Sequence, residues 1–72
     1  MPLDVLIAKT ALEWWRCQEG PRTRERMAAL VSQGADLYAI PAERKPALVE
    51  LAWNMVLPWE REKYGKGAPN GS

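Results

Sequence analysis

Two stretches of this 72-residue chain carry side chains suited to recognition chemistry. The dipeptide Trp14-Trp15 sets two indoles side by side. Adjacent helical residues point about 100° apart, so the two rings cannot both face one core. Trp15 falls beside Ala8, Ala11 and Leu12, which offer it an apolar floor, whereas Trp14 falls toward Ile7 at the flank. Tryptophan is enriched among residues that carry interface energy, which makes Trp14 a candidate anchor. The competing reading is that both rings wrap the edges of neighbouring helices.

The run Arg22-Thr23-Arg24-Glu25-Arg26 holds three of the chain's ten basic residues. Arg22 and Arg26 share a helix face, and such a fork can grip carboxylates or phosphates. The plainer reading is a solvated face paired locally with Glu19 or Glu25. Arginines at a helix start oppose the macrodipole by roughly a few tenths of a kcal/mol, so a partner or a local pair is expected to offset them. Trp59, beyond what so small a core can cover, joins Trp14, Arg22, Arg24 and Arg26 as a candidate partner-binding residue.

Catalytic chemistry finds little to work with. The chain has no histidine, which removes a histidine triad, a histidine metal site and a histidine pH switch. Cys17 is the lone cysteine, so no intrachain disulfide forms, and an isolated thiol fits a reducing compartment. It reads as a small, mostly buried hydrophobe near a helix end. No glycine-rich phosphate loop, paired-cysteine zinc spacing or acidic calcium loop is present. The nine carboxylates include no pair marked for joint burial. The expectation is a protein that is not an enzyme and holds neither metal nor cofactor.

Ten Lys and Arg against nine Asp and Glu leave a net charge of +1, which excludes a strongly basic nucleic-acid protein and a polyacidic mimic of DNA. The first residues lack the basic start of a signal peptide, and Asp4, Lys9 and Glu13 interrupt their apolar positions. No run approaches the roughly 18–20 apolar residues of a membrane span. A cytoplasmic protein is expected.

The elements that must position these residues follow a helical period throughout. A first helix is expected from about Asp4, as N-cap, to Glu19, with Gly20-Pro21 as its stop. Its apolar residues cover more than half the circumference, with Lys9, Glu13 and Arg16 opposite. A second runs from Pro21 or Thr23 to Gln33, burying Met27, Leu30 and Val31 and ending at Gly34. Asp36 caps a short turn that Pro41 ends, and Pro41–Lys45 forms a separate turn, because a helix running through Pro46 would lose about 3 kcal/mol. A third helix, about Pro46 to Leu57, is the most apolar element and the expected centre of the core, with Leu51 and Met55 among its core residues. Pro58 stops it and opens a short, solvated helix to Tyr64. Residues 66–72 read as a disordered tail.

The fold class expected is all-α: a single helical domain over residues 1–65, built as a small bundle of three main helices with short extra turns. The function expected is stoichiometric binding to a larger protein by a small regulator or adaptor, phage-type modulators of host machinery being one such class. Alternatives are a nucleic-acid-binding regulator using Arg22–Arg26, a homodimer, or a structural subunit of an assembly. A helix-turn-helix resemblance around Gly34 is weak, because Pro41 and Pro46 break the segment that would serve as recognition helix and few residues there could read base edges.

Overall fold

The structure, a computed structural model, describes residues 2–65, and the tail expected over 66–72 lies outside the described residues. Helix α1 spans Leu3–Arg16, α2 Arg24–Leu37 and α3 Lys45–Asn54. A 3₁₀ turn at Ala42–Arg44 leads into α3, and a short helical turn, α4 (Pro58–Glu60), widens into a π turn at Arg61–Gly65. The fold is all-α: the described residues hold no strand, and the three main helices all pack on one another. No helix among the described residues is long and apolar enough to cross a membrane.

Side-chain contacts fix the directions of the three helices. Gly34 of α2 lies against Ile7 of α1, and the Trp15 indole N–H, near the end of α1, donates to the Thr23 carbonyl at the start of α2. These two helices are therefore antiparallel. Lys45, opening α3, reaches Asp36 and Ser32 late in α2, while Arg24, opening α2, pairs with Glu50 within α3. So α3 is antiparallel to α2 and runs alongside α1, and Arg44 accordingly meets Asp4.

The core lies where the three helices meet. It takes Ile7, Ala8, Ala11, Leu12 and Trp15 from α1, and Met27, Leu30, Val31 and Ala35 from α2. Leu48 and Ala52 come from α3, and Val56 and Ile40 from the segments that follow α3 and α2. Trp15 is fully buried on the floor its neighbours supply, and its ring meets Trp53 edge to face at 5.8 Å. Such aromatic pairs add about 0.5–1.5 kcal/mol to area burial. The expectation that α3 forms the centre of the core is corrected here. Leu48, Ala52 and Val56 recur every four residues and turn one stripe inward, so Leu51 and Met55 on its flanks are only half-buried.

Helix ends differ from expectation for local reasons. Helix α1 starts a residue before Asp4, whose carboxylate pairs with Arg44 instead of capping, and stops at Arg16 rather than Glu19. Its last turn tightens, with Gln18 N–H bonding the Trp15 carbonyl, and Gly20 then takes a positive φ of 89°. Helix α2 begins behind Thr23, whose hydroxyl accepts the Arg26 N–H at 3.1 Å. It runs straight through Gly34, which is buried inside the helix and is not its end. The terminator is Ala39, with φ 57°. Around it the Ile40 N–H bonds the Ala35 carbonyl and the Ala39 N–H bonds the Asp36 carbonyl, a Schellman motif with alanine in glycine's usual place. The separate turn before α3 is present, and Pro46 sits in the first turn of α3, where no N–H is needed. Helix α3 ends at Asn54, three residues before Leu57.

Candidate interaction surface

The basic segment sits at the joint of α1 and α2, and its guanidinium groups turn inward to the chain itself. Arg22 donates from Nε to the Trp15 carbonyl at 3.0 Å and from Nη2 to the Gln18 carbonyl. It thereby serves carbonyls at the end of α1, that of Trp15 accepting the Gln18 N–H as well. Arg26 donates to the Gln18 side-chain oxygen. The fork of Arg22 and Arg26 thus closes on Gln18. Arg24 points elsewhere, pairing with Glu50 and lying 6.0 Å from the centre of the Trp53 ring. The small dipole cost of cations opening α2 is offset because the same cations lie at the negative end of α1.

The proposed partner-binding residues therefore divide. Trp14, Arg22 and Arg26 share one neighbourhood around Gln18, whose side-chain amide reaches the Trp14 carbonyl at 3.5 Å. Arg24 belongs to the contact between α2 and α3. Trp59 lies on α4 and is 55% exposed. Trp14 is half-buried and packs on the core from its edge. Cys17 is exposed just past the end of α1, correcting its expected burial.

A longer surface emerges along the outer side of α1 and α2. Leu3, Leu6, Thr10 and Trp14 recur at i, i+3, i+7 and i+11, so they form one stripe along α1. Leu3 is 40% and Leu6 39% exposed, and the Thr10 hydroxyl folds back onto the Leu6 carbonyl at 2.9 Å, which spares the stripe an open hydroxyl donor. On the same side of α2, Arg26, Gln33 and Leu37 are exposed around the buried Leu30, with Leu37 73% exposed and Tyr38 exposed just past the helix. The residues of α1 and α2 that reach toward α3 lie on the other side of each helix. Both stripes therefore lie away from α3, and the antiparallel pairing sets Leu3 and Leu6 at the same end as Leu37 and Tyr38. Sequence reasoning missed Leu6, Leu37 and Tyr38. The signal was available in Leu6, an apolar residue outside the broad apolar arc of its helix.

On the opposite side an open groove of about 630 Å³ lies between α2 and the start of α3, with Ala28, Ala47 and Val49 on its walls. Its cations are already engaged, Arg24 with Glu50 and Lys45 with Asp36 and Ser32. Further along, Glu60 is buried at 4% exposure and accepts both Nε (2.8 Å) and Nη2 (3.1 Å) of Arg16. The Arg16 bond holds the Glu60 carboxyl below the usual carboxylate range against the opposing effect of burial, and the Leu57 N–H adds to that lowering. The solvated reading of this last helix is corrected at Glu60. Among the described residues, no three or more His, Cys, Asp or Glu side chains group as metal ligands. The chain matches no family model, no curated protein and no solved structure.

Proposed function

We propose that this protein acts without catalysis, by stoichiometric binding of a larger protein through the outer face of α1 and α2. The observation that carries this reading is the exposed apolar surface of Leu3 and Leu6 on α1 and of Leu37 and Tyr38 at the end of α2, with the half-buried Trp14 farther along α1. An apolar strip between two antiparallel helices suits a helix of the partner laid along it, with contacts spaced as on a helix. Trp14 supplies a fixed aromatic anchor at one end, and Arg26 and Gln33 supply a polar rim. The regulator or adaptor role follows from size: so small a chain, with no histidine and a single thiol, has more surface to offer than chemistry. The exposed lone thiol of Cys17 fits a reducing, cytoplasmic setting.

The nucleic-acid alternative loses its main support, because Arg22 and Arg24 are tied into contacts within the chain. The test is capture from native-cell extract with the wild-type chain and with Leu37→Ser as paired baits. A protein held in equal proportion by the first and lost by the second supports the reading. Recovery of nucleic acid with affinity falling steeply as salt rises would favour the alternative.

A further inference from the structure

We propose that Pro58–Gly65 forms a strap that opens from the helical body as one unit, hinged at Leu57 and latched by Glu60 on Arg16. This inference concerns a different side of the molecule from the α1–α2 face and stands independently of it. Four observations carry it. The backbone of α4 and the π turn packs chiefly on itself rather than on the three helices. Leu57 at the hinge and Trp59 on α4 are about half exposed, so neither belongs to the core.

Two polar contacts latch the strap to the helices. Glu60 binds Arg16 through both carboxylate oxygens, and Arg61 donates from Nη2 to the Trp53 carbonyl at 2.7 Å with its guanidinium 5.1 Å from the centre of the Trp53 ring. Finally, the docked state carries a cost, because the Nε of Arg61 is buried with no hydrogen-bond partner. Opening would return that donor to water, whereas opening α1, α2 or α3 would expose core residues. Segments held with little apolar burial open below the global unfolding free energy.

The hinge is built for it. Leu57 is extended at φ −71° and ψ 149°, and Pro58 opens α4 where no N–H is required. Glu60 also reaches back to the Leu57 N–H at 2.9 Å, so the carboxylate that latches the strap also caps its first turn. Losing Glu60 therefore undoes docking and internal order together. Release uncovers the half-buried Trp53 indole, which lies edge to face with Trp15.

Native-state hydrogen exchange on the full chain tests the proposal, with Glu60→Gln beside the wild type. In the wild type, amides 60–63 should share one protection factor at least tenfold below that of the α1 core. In Glu60→Gln that shared value should fall at least a further tenfold while α1 protection changes less than threefold. Trypsin should then cut after Arg61 and Lys63 faster in the variant, with α1 and α2 intact. Protection that declines residue by residue toward the terminus would show simple fraying and overturn the proposal. Equal protection of strap and helices would also overturn it, as would Glu60→Gln unfolding the whole chain.

Discussion

Arg22 caps the helix that precedes it: its Nε lies 3.0 Å from the carbonyl oxygen of Trp15, across the tight joint between α1 and α2. The planar fork reaches a second carbonyl, that of Gln18, with Nη2. An arginine that reads in sequence as a surface charge is thus part of the joint. Arg22→Ala should lower stability by about 1.5–3 kcal/mol, the range for hydrogen bonds made by charged groups. Arg22→Lys should recover less than half, since an ammonium has no second arm at that geometry. Urea denaturation of both variants measures this directly.

Two backbone substitutions should stabilise the protein. Gly34 is inside α2 without a positive φ, and a Cβ there would meet Ile7 Cγ2 at 3.4 Å, an ordinary contact. Gly34→Ala should therefore add about 0.5–1 kcal/mol through helix propensity. Ala39 holds a left-handed conformation that glycine adopts freely, so Ala39→Gly should add about 1 kcal/mol. Were Gly34 the end of the helix, the first change would destabilise. Thermal melts of the two variants separate these outcomes.

Core substitutions should rank by position on α3 rather than by its overall apolar character. Leu48→Ala should cost about 2–5 kcal/mol and Trp15→Ala about 3–5, because both side chains are buried. Leu51→Ala should cost less than half as much as Leu48→Ala, its side chain being half-buried. Chemical denaturation with a common slope would establish the order.

The strap should release in acid. Glu60 titrates below its unfolded value of about 4.3, so its contribution is fully present above that pH and is lost as pH falls through the lower folded value. Arg16 and Arg22 supply the favourable charges around it, and Glu13, 3.7 Å from Arg16, competes for the same guanidinium. Protection of the strap amides, corrected for intrinsic exchange, should hold level from pH 7 to 5 and drop below about pH 4. In Glu60→Gln the acid drop at the strap should be absent.

The parts of this fold legible in sequence are those fixed locally. A start of α2 near Thr23 rather than at Pro21, Pro46 and Pro58 as helix starts and Trp15 on an alanine floor all follow from neighbours within a turn or two. Pro21 itself lies outside the helix that its residue type suggests it would open. Gly34 misled because a glycine between apolar positions resembles a helix end, while the actual terminator, Ala39, carries no turn signal at all. The Arg16–Glu60 pair joins residues 44 positions apart, and nothing in the alternating charges of α4 marks Glu60 for burial. The arginines were legible as a cluster but not as caps, since their acceptors are backbone carbonyls that every sequence has. Trp14 was placed at a flank by spacing alone, yet the exposed Leu37 needed the course of α2 past Gly34 to come into view.

Binding through the outer face of α1 and α2 is tested most directly by calorimetric titration of the captured partner with Leu37→Ser, Trp14→Ala and Arg24→Ala. Circular dichroism on each variant confirms its fold. The expected result is a one-to-one complex that weakens by about 2 kcal/mol or more, roughly 30-fold in Kd, for the folded Leu37 and Trp14 variants. Arg24→Ala, which alters only the contact with α3, should bind within threefold of wild type. Full affinity in both Leu37→Ser and Trp14→Ala, with their folds intact, would contradict binding at this face.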